Sequence, residues 1–111
     1  MPKGGEEEKI RHVLKDPKLA PVKAMLEKDH AIDCLFLLHV GRGKWKEAKE
    51  FMRNNGLTLS DGTFRARMIE IEDLGLATSQ RIDPLKKYYI ITPLGEKTAT
   101  LLLELFNKIQ Q

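Results

Sequence analysis

The stretch LSDGTFRARMIEIEDLGLATSQRIDPLKKYYIIT, from Leu59 to Thr92, decides how the rest of the chain is read. Its first half has helical spacing. Ser60 is placed to cap the free N–H of Thr63. Phe64, Met68 and Ile71 then fall in one narrow arc, which predicts a helix with that face on a core. Gly62, Thr63, Ala66 and Ile69 lie on the other side with Arg65 beside them. Small and hydrogen-bonding residues near a helix N-terminus suit entry into a major groove. Glu70, Glu72 and Asp73 make the second half acidic, so only the first half suits a polyanion. Gly75 is a fitting helix stop. Beyond it, Leu76 to Ile82 and Tyr88 to Thr92 read as two strands, joined by a turn of Asp83, Pro84, Leu85, Lys86 and Lys87.

Helix, strand, basic turn, strand is the order of a winged helix. LSDGTFRARMIEIEDLGL, then a basic hairpin, then YYIITPLGEK resembles the winged helix-turn-helix regulators of the PadR, HxlR and MarR kind. The resemblance spans about residues 30–111 and is best at Gly62-Thr63-Phe64, Leu74-Gly75-Leu76 and Tyr89 to Gly95. It implies a mainly α fold with a small antiparallel β wing, and a DNA-binding transcriptional regulator that dimerises through terminal helices.

Outside the decisive stretch, three further helices and an N-terminal extension are expected. Residues 2–8 are polar and read as flexible. Glu6 to Lys15 is a helical segment that stops before Pro17, and Lys18 to Glu27 is a second, with Pro21 in its first turn. AIDCLFLLHV, Ala31 to Val40, is apolar enough for a buried helix. After Gly41-Arg42-Gly43, the segment Lys44 to Asn54 places Trp45, Ala48, Phe51 and Met52 on one face. Leu57 and Leu59 fill the turn before Ser60. Three parts result: an extension over 1–29, a winged helix over 30–92 and a C-terminal helix over 93–111.

That last helix opens with Thr92 as cap and Pro93 as first residue. Its apolar residues cover an arc of about 160°, where one core needs nearer ~100°. The excess predicts a second contact. A homodimer interface through Leu101, Leu102, Leu105, Phe106 and Ile109 is the expected use; cover by residues 6–27 of the same chain is the alternative.

Composition narrows the function. The chain has 111 residues, a net charge of +3 and one cysteine, which excludes an internal disulfide. It shows no transmembrane run and no signal-peptide core, so a cytoplasmic protein is expected. Residues 42–67 carry seven basic and three acidic residues, while residues 68–80 carry three acids and no base. Positive charge thus gathers at the proposed groove-reading region and returns at the wing.

The expected DNA contacts follow from position. Thr63, Arg65 and Ala66 belong at base edges. Ser60 and Lys44 belong at phosphates. Arg81, Lys86 and Lys87 belong on the minor groove or backbone. Arg67 is a further candidate, or else an ion pair with Glu47 or Glu50. No catalytic constellation is present, so an enzyme is not expected. His30 and Cys34 share a helix face, but His39 lies about 180° from His30 on that helix, so no metal and no cofactor are expected. Cys34 reads as a small buried residue rather than a redox sensor. The glycines and lysine at 41–44 lack phosphate-loop spacing. The expected partner is double-stranded DNA, with no membrane and no residues that demand a small effector. The competing reading is a winged helix used as a protein–protein interaction module. Chromatin architecture of a non-specific kind would show a stronger positive excess than +3.

Overall fold

The structure, a computed structural model, describes residues 4–84 and 86–111. The elements run α1 (Gly4–Lys15), α2 (Ala20–Leu26), α3 (Ala31–His39), α4 (Trp45–Asn54), α5 (Asp61–Asp73), β1 (Ala77–Asp83), β2 (Lys86–Ile91) and α6 (Pro93–Gln110). Helix α1 begins within the polar run expected to be flexible, because Glu6 and Glu7 sit in its first turn, where the helix dipole favours acids. Residues 1–3 of that extension, and Leu85 of the expected turn, lie outside the described residues.

The core is built where the apolar spacing demands it. Helix α3 is hydrophobic almost all round and buries Ala31, Cys34, Leu35, Leu37 and Leu38. Helix α5 lays Phe64, Met68 and Ile71 against it, and α4 adds Ala48 and Met52. Leu59 is buried in the turn between α4 and α5, with Leu57 packed beside it. Each such aliphatic side chain, fully buried, contributes about 1.5–3 kcal/mol relative to exposure. No polar or charged residue is buried among the described residues.

Caps set the boundaries of α5 and α6. Ser60 Oγ accepts from Thr63 N at 3.1 Å, and Gly75 ends the helix with φ of 77°. Thr92 does two jobs at the start of α6: its Oγ1 accepts from Gly95 N at 3.1 Å and donates to Gly75 O at 2.7 Å. One hydroxyl therefore ties the end of α5 to the end of the hairpin.

The hairpin is tighter than the sequence predicts. Asp83 pairs with Lys86 and Arg81 with Lys87, so both lysines belong to β2 rather than to the turn. An irregularity between Arg81 and Asp83 takes up the extra residue. On the far edge of β2, Tyr89 N donates to Gly43 O at 3.1 Å. Gly43 thus joins the loop between α3 and α4 to the hairpin.

Helix α6 divides its apolar face. Gly95 and Ala99 are buried, Leu102 packs on the core, and Phe106 meets Phe36 edge-on at 6.2 Å between ring centres. Leu101, Leu105 and Ile109 are exposed, at 59%, 51% and 69%. Helix α1 buries none of its own residues and leaves Ile10, Val13 and Leu14 in solvent. It does not supply the cover that α6 lacks. The radius of gyration is 15.9 Å, against about 13 Å for a compact domain of this size.

A Cβ added at Gly43 would stand 1.8 Å from the Tyr89 carbonyl oxygen, a backbone atom that cannot step aside. One added at Gly62, inside α5, meets nothing within 4 Å. Gly43→Ala should therefore destabilise the fold by roughly 1–3 kcal/mol. Gly62→Ala should stabilise it by about 0.5–1 kcal/mol. Urea unfolding of both variants checks the opposite signs.

Candidate nucleic-acid interface

The Gly43–Tyr89 contact sets the N-terminus of α4 beside the hairpin, and α5 closes the third side. Between them lies a cleft of about 680 Å³. Lys44, Lys46, Arg65, Arg81, Lys86 and Lys87 line it, against two acids, Asp61 and Asp83. Trp45, Phe64, Ile69, Ile82 and Tyr89 supply apolar lining. Trp45 leans on Phe64 at 5.2 Å between ring centres, which fixes the first turn of α4 against α5.

Several basic side chains are held rather than loose. Lys44 Nζ sits 5.3 Å over the Tyr88 ring, a cation–π contact. The Tyr88 hydroxyl donates to Gln80 across the hairpin. Arg81 Nη1 donates to Pro84 O at 2.9 Å, which braces the turn. Arg65 is 69% exposed, with Nη2 3.1 Å from Asp61 Oδ2 one helical turn back. Ser79 Oγ donates to Glu72 Oε2 at 2.6 Å and draws an acid of α5 onto β1.

Five of the residues expected to contact DNA thus share one cleft: Lys44, Arg65, Arg81, Lys86 and Lys87. Ser60 and Thr63 lie outside its lining, at the start of α5, where Ser60 Oγ donates to Thr63 Oγ1 at 2.9 Å. Ala66 is half-buried on the same helix. Arg67 is different. Its side chain is only 16% exposed; Nε donates to Asp29 O at 2.9 Å and Nη1 reaches both Glu70 oxygens at 2.7 Å. The expected partners Glu47 and Glu50 are replaced by Glu70, because Arg67 faces the corner between α2 and α3 and not α4. Lys46 is the lining residue that the sequence reading passed over, although it lies inside the basic block that reading identified.

The histidines and the cysteine form no metal site among the described residues. His30 turns the corner into α3 with φ of 64°, its Nδ1 3.0 Å from Asp33 Oδ2. His39 Nδ1 lies 2.8 Å from Glu96 Oε2, across from α3 to α6. Burial, with the nearby Asp33 charge, pushes the Cys34 thiol up to about 12, so it remains a neutral, unreactive thiol. Burial, aided by Glu72, likewise raises the Tyr89 phenol.

Three solved structures share this architecture. A PadR-like transcription factor from Bacteroides fragilis superposes with a TM-score of 0.64 at 19% identity, over 80% of this chain and 91% of that one. MepR from S. aureus, solved as a DNA complex, gives 0.59 at 14% identity, over 97% of this chain and 87% of its own. A MepR mutant from a multidrug-resistant S. aureus clinical isolate gives 0.55 at 14% identity, over 100% and 80%. The fold is a winged helix. No family model and no curated protein matches the chain by sequence. In this fold α5 is the third helix of the α3–α5 core, and β1 and β2 form the wing. No helix among the described residues is long and apolar enough to cross a membrane.

On the side of α5 away from the hairpin, Lys28 Nζ and Arg67 Nη1 converge on Glu70 at 3.0 and 2.7 Å. Burial alone would raise the Glu70 carboxyl, but the two hydrogen bonds and the two positive charges outweigh it and hold its pKa below the ordinary 4.5. The unfolded chain therefore takes up this proton more readily than the folded one. The clasp stabilises the fold in full above about pH 4.5 and loses its contribution as pH falls through the lowered value. Glu70→Gln should show a smaller fall in thermal midpoint between pH 5 and pH 3 than the native protein. An unchanged acid limb would exclude this clasp as its source.

Proposed function

We propose that this protein is a dimeric, sequence-specific binder of double-stranded DNA that regulates transcription. In this reading α5 is the recognition helix. The observation that carries it is the convergence of six basic side chains on one cleft between α5 and the wing. Sequence-separated charges from α4, α5 and both strands meet there, as contact with a phosphate backbone requires. MepR, similar in fold over nearly the whole chain, is known in complex with DNA.

The roles follow from position. Thr63, Arg65 and Ala66 face base edges in the major groove. Ser60, Lys44 and Lys46 meet phosphates near helix N-termini. Arg81, Lys86 and Lys87 carry the wing onto the minor groove or its backbone. Arg67 acts through its clasp on Glu70, which orients α5, rather than through DNA. The reading assigns residues 30–92 to DNA binding and 93–111, with the extension over 1–29, to the dimer.

The exposed apolar residues of α1 and α6 support the dimer. Leu101, Leu105 and Ile109 point away from the domain, while Leu102 packs on its core and Phe106 meets Phe36 of α3. A second copy that covers both faces would present two recognition helices, as palindromic sites require.

A labelled pool of random duplexes, titrated at two salt concentrations with solution mass recorded, tests the proposal. The expected result is salt-sensitive binding by a species of twice 12.7 kDa. A folded protein that binds no duplex at low salt refutes it. Arg65→Ala should cost ~1–3 kcal/mol of specific affinity, while Lys86→Ala and Lys87→Ala should each weaken all sequences alike and flatten the salt slope by about 0.9. Leu105→Glu combined with Ile109→Glu should halve the mass by light scattering and leave the circular-dichroism spectrum of the domain unchanged.

A further inference from the structure

One acid stands where the DNA-binding reading has no use for it. Asp61 lies in the first turn of the recognition helix and lines the cleft, whose other charged side chains, Asp83 of the hairpin apart, are cations. A carboxylate there repels phosphate. As a first-turn acid and an i,i+4 ion-pair partner at an exposed position, Asp61 has modest structural value. Ser60, not Asp61, caps α5, and the Asp61 Oδ1 atom is shielded from solvent with no hydrogen-bond donor among the described residues. The partner of Asp61 is Arg65, held at 3.1 Å through Oδ2.

We infer that Asp61 is a specificity-determining residue: by pairing with Arg65 it disfavours contact with bare phosphate and reserves the guanidinium for a base edge. The inference rests on the proposed DNA binding and deepens it. The physical argument is a competition. An exposed arginine at a helix N-terminus is drawn to any phosphate, which gives affinity without discrimination. Pairing with an acid one turn back cancels that long-range attraction and holds the side chain along the helix. The guanidinium has five donors, so those not directed at Asp61 remain for a bidentate contact with guanine. Every duplex meets the repulsion; only a site with the right base recovers the Arg65 contact. Discrimination is a difference of affinities, and a built-in repulsion widens it.

The test compares two probes: a duplex selected by the native protein from a randomised pool, and a random-sequence duplex of equal length. Asp61→Asn should tighten binding of the random duplex about fivefold, the order expected when one like charge is removed from beside a phosphate. Its salt slope should steepen by about 0.9, one more neutralised phosphate. Binding of the selected duplex should change less, so the ratio of the two affinities falls. Asp61→Glu, which keeps the charge, should restore the native ratio and slope. Asp61→Ser repeats the measurement with another residue suited to a first turn. If Asp61→Asn and Asp61→Ser lower the thermal midpoint while slope and ratio stay native, Asp61 serves the helix alone and the inference is overturned. If the native protein binds no duplex, the DNA-binding reading itself fails, an outcome distinct from native binding that ignores Asp61.

Discussion

The cleft depends on one close approach of backbone to backbone. Gly43 passes so near to Tyr89 that no side chain fits between them, and a hydrogen bond from Tyr89 N to Gly43 O closes the gap. Because of it, the helix after Gly43 begins next to the wing. Lys44 then reaches the Tyr88 ring, Trp45 reaches Phe64, and Lys46 faces the cleft. Were that loop held farther off, the same lysines would be scattered surface charges. Three residues further on, where β2 ends, Thr92 fixes the wing again, its hydroxyl joining Gly75 to Gly95. Two small contacts near the C-terminal end of β2 thus set the shape of the cleft.

Much of this was legible in the sequence because the signals are local. Ser60 and Thr92 are residues whose side chains satisfy helix N-termini, and both do so. The spacing of Phe64, Met68 and Ile71 gave the buried face of α5, and the apolar run at Ala31 gave α3. What remained hidden depends on contacts between distant residues. Arg67 is paired by Glu70, three residues away, but only its bond to the carbonyl of Asp29 explains which way it turns. Gly43 looked like a helix breaker, since nothing local tells that a strand will pass beside it. The wing lysines moved from turn to strand because one irregular pair absorbed a residue. Lys46 sits a single residue from Trp45, the core-facing position that drew the eye, and its own direction follows only once α4 is docked.

The two terminal helices leave apolar residues uncovered by their own domain. Leu102 and Phe106 of α6 are engaged with the domain, while Leu101, Leu105 and Ile109 are not. Helix α1 is wholly exposed, with its own short apolar row of Ile10, Val13 and Leu14. The breadth of apolar arc read from the sequence thus leaves α6 with one side on its own domain and the other exposed.

Trp45 is the only tryptophan in the chain, and it lies in the lining of the basic cleft, in contact with Phe64. Indole emission answers to the polarity around the ring. The molecule therefore carries its own optical gauge at the place where its charges converge. Filling that cleft, by whatever occupant, changes the light the protein gives back without a dye attached to either party.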